Sequence, residues 1–270
     1  MSVSEYFWLT LLLKAALTSS IIVTASLIVE RGGPFLGAMI ASLPTSVGAA
    51  YIVMAVEHSP DFISRSALGS LTANAAGVTF AAVYALLARK CSLLVGLGGA
   101  LLVWFVCALA LRSIDFTLWM AVALNLGVAA FAIWATAKVR AASFPKAAIV
   151  PRAYDIPLRA AAVSAFVIVI TTLSHSIGAF SSGIFAVFPI AMSSFIVILH
   201  NRIGGPATSN VIAHAQVPML GLIPAFLAVY LLSVPLGEWW ALLIALMASL
   251  TWNALLWTWR TQLAARLPME

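Results

Sequence analysis

The sequence predicts an all-α polytopic membrane protein, and three observations lead there. The 270 residues are 63% hydrophobic and only 8% charged, with a mean hydropathy of +1.10. The apolar residues gather into runs long enough to cross a bilayer, and the basic residues other than Lys14 and Arg159 fall between or after those runs. Soluble domains are roughly 45–50% apolar and about 25% charged, so a water-soluble enzyme, a secreted domain and a disordered chain are excluded. The net charge of +6 reads as membrane topology and not as a nucleic-acid surface. The expected partners are therefore the lipid bilayer and a small solute, with no nucleic acid.

A hydrocarbon core of about 30 Å takes roughly 20 apolar residues of helix. About nine such runs follow one another: Trp8–Val29, Pro34–Val56, Ser66–Ala88, Cys91–Leu111, Phe116–Ala137, Leu158–Ser174, Phe180–Leu199, Asn210–Val234 and Trp239–Trp259. Turn and charge chemistry separates them, as in Glu30-Arg31-Gly32-Gly33-Pro34, His58-Ser59-Pro60-Asp61 and Asn201-Arg202-Ile203-Gly204-Gly205-Pro206. The first run has no basic segment or cleavage signature before it and is read as retained. Organisation follows: a first repeat over 1–140 with five spans, a cytoplasmic linker over 141–157, and a second repeat over 158–270 with four. An outside N-terminus places Arg31, Arg89, Lys90, Lys138, Arg140, Lys146, Arg152, Arg202, Arg260 and Arg266 inside, against Arg65 and Arg112 outside. The positive-inside bias thus gives N-out, C-in, and the odd span count agrees with it.

The two halves resemble each other. Lys14-Ala15-Ala16 returns 145 residues later as Arg159-Ala160-Ala161, and at the same offset Pro44 matches Pro189 and Glu57 matches Arg202. Tyr84 and Tyr230 match at an offset of 146; Leu118-Trp119-Met120-Ala121 then matches Trp239-Trp240-Ala241-Leu242 at about 121. The lost residues amount to one span, so the first half carries an extra helix, Cys91–Leu111. An odd number of spans before the second copy inverts it, which is the architecture of many secondary transporters.

The residues Leu13-Lys14-Ala15-Ala16-Leu17, the stretch Gly37–Thr45 with its Leu-Pro-Thr, and Gly183–Pro189 make each copy resemble the GlpM family of small bacterial inner-membrane proteins, which are about one copy long. The resemblance covers the first three spans of each half, and the extra fourth span departs from it. It implies a duplicated membrane protein of the bacterial cytoplasmic (inner) membrane and carries no activity to transfer.

Chemistry is sought where polar groups meet the membrane interior. Pro44 and Pro189 lie mid-span, where proline removes one backbone hydrogen bond and costs about 3 kcal/mol unless compensated. Thr45 and Ser46 flank the first, Ser193 and Ser194 follow the second. Two kinked helices meeting there would make a substrate site, the alternative being a simple packing kink. Asn74 and Gln216 are the expected polar partners. Lys14 and Arg159 are expected either as charge-selective groups flanking an anion path or as snorkelling anchors. His214 is expected as a proton-sensitive gate or as a helix-end histidine bonded to a neighbour.

Absences narrow the function. None of the eight acidic residues is mid-span, which disfavours a cation antiporter. The four histidines are spread out along the chain and Cys91 and Cys107 share one apolar run, so no metal, disulfide framework or metalloprotease motif is expected. There is no phosphate-binding loop, and no cofactor or enzymatic constellation. The expected function is a secondary transporter or exporter of a small anionic or neutral solute. The alternative is a non-transporting scaffold or regulatory subunit for envelope assembly. Small-residue faces allow a homodimer.

Overall fold

The computed structural model describes residues 14–20, 23–24, 45–142 and 155–266. Most of the first predicted span, the stretch 25–44 with Pro44, and most of the predicted linker lie outside the described residues. In chain order the helices are α1 (residues 14–20), α2 (Thr45–Glu57), α3 (Pro60–Leu87), α4 (Leu93–Arg112), α5 (Leu118–Ala135), the short α6 (Ala137–Arg140), α7 (Asp155–Ile177), α8 (Ala179–Ala186), α9 (Ile190–Met219), α10 (Leu222–Leu236) and α11 (Glu238–Arg266). No strand occurs among the described residues. Among the described residues, six helical stretches are long and apolar enough to cross a membrane. The protein is all-α and membrane-embedded.

The centre of the bundle is α3, 28 residues long and so about 42 Å from end to end. It starts six residues before the sequence predicts. Pro60 and Asp61, read there as a turn, instead begin the helix: Ser59 caps it by accepting from the Phe62 N–H at 3.5 Å, and Pro60 occupies the first turn, where its missing N–H costs nothing. Small and hydroxyl residues run along most of its sides, and α3 is buried where α4, α5 and α11 are largely exposed. A helix apolar all round belongs in the interior of a bundle.

Close approach to α8 follows from two glycines. A Cβ on Gly69 would land on the Phe180 carbonyl, and one on Gly183 would land on the Ser66 carbonyl. The backbones therefore meet directly, and the hydroxyls of Ser66 and Ser70 donate across the contact to the carbonyls of Ala179 (3.0 Å) and Gly183 (2.7 Å). With no solvophobic force between helices in lipid, packing and such interhelical bonds hold them.

Contacts along α3 give every neighbour a direction. α8 and the first part of α9 run parallel to it, since Phe180 lies at Gly69 and His200 bonds Tyr84. The chain then reverses: Gly205 lies at Ala88, and the Tyr230 carbonyl accepts from Ser64. The reversal is at Gly204, the one non-helical residue within α9, with φ of 80°. Gly178, between α7 and α8, and Gly237, between α10 and α11, have the same kind of conformation, with φ of 79° and 85°. Only glycine adopts it without strain, so three helix-to-helix joints in the second half are single residues.

The directions define two ends. Glu57, His58, Arg112, Asp115 and Glu238 mark one, called here the Glu57 end. Arg89, Lys90, Lys138, Arg140 and Arg202 mark the other, the Gly204 end. Tryptophans ring the exposed surface near both, with Trp119, Trp239 and Trp240 at the Glu57 end and Trp134 and Trp259 at the other, as an aromatic belt requires.

Candidate functional site

The feature that departs most from a packed helical bundle is the interruption between α8 and α9, at Val187, Phe188 and Pro189. Proline explains it locally. Pro189 has no N–H to offer the Phe185 carbonyl, which accepts instead from the Phe188 N–H at 2.9 Å. The Ile190 N–H, which a continuous helix would give to Ala186, goes to the Phe188 carbonyl at 2.7 Å. The Ala186 carbonyl thereby loses its helical donor. Of the two outcomes open for Pro189, a bent helix and a broken one, the structure has the broken one.

The surroundings of the break are aromatic. Phe188 packs edge-on against Trp104 with centroids 4.9 Å apart, stacks on Phe166 at 4.9 Å, and lies 5.5 Å from Phe105. Trp104 comes from α4, the extra helix of the first half, and also lies 6.3 Å from Phe185. Its side chain is fully buried, and its indole N–H has no hydrogen-bond partner. One turn beyond the break, the buried hydroxyl of Ser193 is also without a partner, while its backbone N–H donates to the Pro189 carbonyl. A buried polar group left unpaired costs about 1–3 kcal/mol. Two residues with unpartnered donors, a freed carbonyl and an aromatic wall thus flank one discontinuity. Trp104 lies mid-span in the sequence, where nothing local shows whether an apolar side chain faces lipid or the protein interior.

The remaining expected residues are distributed. Pro44 lies outside the described residues, and α2 begins at the next residue, Thr45; Ser46 is buried. Ser194 bonds its own helix, donating to the Ala191 carbonyl at 2.8 Å. Asn74 is fully buried but faces α5: its Nδ2 donates to Asn125 Oδ1 at 2.9 Å, and Asn125 Nδ2 donates to the carbonyls of Leu71 and Ala121. The Asn74 Oδ1 is unpartnered. Gln216 accepts from Thr136 Oγ1 at 3.0 Å through Oε1, and its Nε2 has no partner. Asn74 and Gln216 therefore stand on the seam of α3, α5 and α9, bonded across it and not to the Pro189 break. His214 Nδ1 bonds the Asn210 carbonyl at 2.9 Å, and Asn210 Nδ2 in turn donates to the Val139 and Ala142 carbonyls. That is the helix-bonded alternative for this histidine.

Lys14 and Arg159 differ. Lys14 is buried, with Nζ 2.8 Å from Glu57 Oε1, so its charge is matched at once and not extended to water. Arg159 is half-buried, and its Nε has no partner. Around Glu57 the chain assembles a polar cluster that its spacing conceals. His58 and His175, 117 residues apart, lie with ring centroids 4.4 Å apart and planes tilted by 37°, and His175 Nε2 lies 3.6 Å from Glu57 Oε2. Two of the four histidines scattered in sequence are thus paired in space. Burial holds the His58 imidazole below the usual histidine range and His175 pushes the same way, while Glu57 opposes both.

No protein-family model, curated protein or solved structure matches this chain. The geometry of its own residues therefore carries the functional reading.

Proposed function

We propose that the chain is a secondary transporter or exporter of a small anionic or neutral solute, and that the solute binds at the Pro189 break. The observation carrying this reading is the interrupted helix whose neighbours Trp104 and Ser193 hold buried, unpartnered donors. Non-helical backbone at membrane depth is tolerated where it is enclosed by protein or lines a watery cavity, and discontinuous helices bind substrate in transporters built from inverted repeats. The donors suit a solute rich in acceptors. Lys14 and Arg159 belong to this reading as charge-selective groups, Arg159 the more effective of the two because among the described residues no carboxylate pairs with it, whereas Lys14 pairs with Glu57.

Nine spans in two inverted copies, with an extra helix in the first, complete the proposal, and the GlpM resemblance of each copy belongs with it. It is supported by α2 and residues 190–203, which begin one residue after Pro44 and Pro189 and run in opposite directions. The basic residues at the Gly204 end support placing that end inside, in the bacterial cytoplasmic membrane. A scaffold for envelope assembly is the contrasting reading.

The test is a single cysteine at Ser193 in a Cys91→Ser, Cys107→Ser background, probed with a small water-soluble thiol reagent in membranes. Labelling slowed by a panel of small anions or polyols is the expected result. An unreactive thiol at Ser193 and at Ala186 would mean a dry break, and would favour the scaffold.

A further inference from the structure

The geometry points to a binding site for a divalent first-row transition cation at the Glu57 end, built from Glu57, His58 and His175. One carboxylate oxygen and one nitrogen from each imidazole all lie within 4.8 Å of one another. Two imidazoles and a carboxylate are a donor set of the zinc class, with bonds of about 2.0–2.2 Å. A tetrahedral ion with such bonds spaces its ligands about 3.4 Å apart, and Glu57 Oε2 already stands 3.6 Å from His175 Nε2.

The ligands are oriented from behind, as metal ligands commonly are. Glu57 Oε1 is held by Lys14, while the buried Oε2 accepts no hydrogen bond. Ser174 donates its hydroxyl to the Thr171 carbonyl at 2.6 Å, so it accepts from His58 Nε2 at 2.7 Å. With Nε2 donating to Ser174, Nδ1 is the nitrogen with which His58 would ligate the ion. Phe62 stacks flat on the same ring, centroids 3.7 Å apart and planes 6° from parallel. His175 is exposed, which leaves the cluster open to entry and to a water as fourth ligand.

Because Glu57 ends α2 and His175 lies in the last turn of α7, a bound ion ties a helix of the first half to one of the second. The ammonium of Lys14 opposes the ion electrostatically and keeps the site from being a permanently filled structural one. Binding of this kind stabilises the folded chain by mass action.

Zinc is the probe. Competition with a chromophoric chelator, on the purified full-length chain in detergent, is expected to find one ion bound per chain, with a rise in melting temperature. His175→Ala, at an exposed position, is expected to abolish both while leaving helicity and the zinc-free melt intact. Ser174→Ala, which frees the His58 ring, is expected to weaken binding by about ten-fold or more. Cobalt replacing zinc is expected to give visible ligand-field bands lost in Glu57→Gln. The proposal is overturned if wild type binds no stoichiometric zinc. Binding that survives His175→Ala and disappears with Cys91→Ser, Cys107→Ser also overturns it.

Discussion

The hydroxyls of Ser19 and Ser164 touch, oxygen to oxygen, at 2.9 Å, and the two residues are 145 positions apart. That is the same separation that aligns Lys14 with Arg159 and Pro44 with Pro189. In a chain folded as two inverted copies, equivalent residues meet only where the pseudo-two-fold axis passes between them. On the proposed architecture, the crossing of α1 and α7 is that axis.

Cross-linking tests it. Ser19→Cys with Ser164→Cys, in a chain otherwise free of cysteine, is expected to form an intramolecular disulfide on mild oxidation. Protease cleavage engineered in the segment 143–154 then gives fragments that separate on a gel only after reduction. Shifting one cysteine by two residues should abolish the link, and an equal yield from the shifted pair would remove the axis from this place.

Packing at the α3–α8 crossing gives a stability prediction. Gly183→Ala places a methyl on the Ser66 backbone, which cannot yield as a side-chain tip can. A loss of about 1–3 kcal/mol is expected, as for other overpacked sites. Gly98→Ala and Gly127→Ala, where an added Cβ meets nothing within 4 Å, should leave the melt unchanged or slightly raised. Thermal unfolding in detergent, followed by circular dichroism, separates the three.

The Asn74–Asn125 bond predicts non-additivity. Asn125→Leu strands the buried Asn74 amide and is expected to cost about 1–3 kcal/mol. Adding Asn74→Leu removes the stranded group and should recover part of that loss. Denaturant titration of the two single variants and the double variant reads the coupling, and strictly additive losses would show that the pair contributes no interaction of its own.

For the Glu57 ion pair, Lys14→Met leaves a carboxylate with 17% side-chain exposure short of its closest cation. Breaking a buried pair from one side is costly, up to about 3–5 kcal/mol, whereas removing both charges is often mild. Melting temperature should therefore fall further for Lys14→Met than for Lys14→Met with Glu57→Gln. The reverse order would show that the pair does not hold α1 against α2.

Trp104→Phe separates binding from packing at the break. The ring and its contacts with Phe185 and Phe188 are largely kept, and only the unpartnered N–H and part of the ring are removed. The melt should change little, while solute protection of a cysteine at Ser193 is lost. Unaltered protection would mean that the indole N–H does not face the solute.

Much of this fold is legible in the chain because hydropathy dictates it: long apolar runs must be helices when no water can pair their backbones. The boundaries were harder. Pro60 reads as a breaker by itself, and as a first-turn residue only once Ser59 is recognised as its cap. Gly204 is one glycine in a Gly-Gly-Pro run, and nothing local says which of the two takes the positive φ. At the site, Pro189 is legible because the missing N–H is a property of the residue. Trp104, Asn125 and the His58–His175 pair are not, because their roles arise from contacts between helices distant in sequence. Asn74 shows the opposite failure: a polar residue mid-span announces itself, but its partner proves to be another side chain.

The three single-residue joints at Gly178, Gly204 and Gly237 make the second half a linkage of rods. A rod-and-pin chain of this kind has short corners, since each pin is one glycine in a backbone state that other residues avoid. Displacement of one rod must then pass to the next or be absorbed along a rod's own length. The discontinuities within the rods, at residues 187–189 and at Leu220–Gly221, are where it can be absorbed.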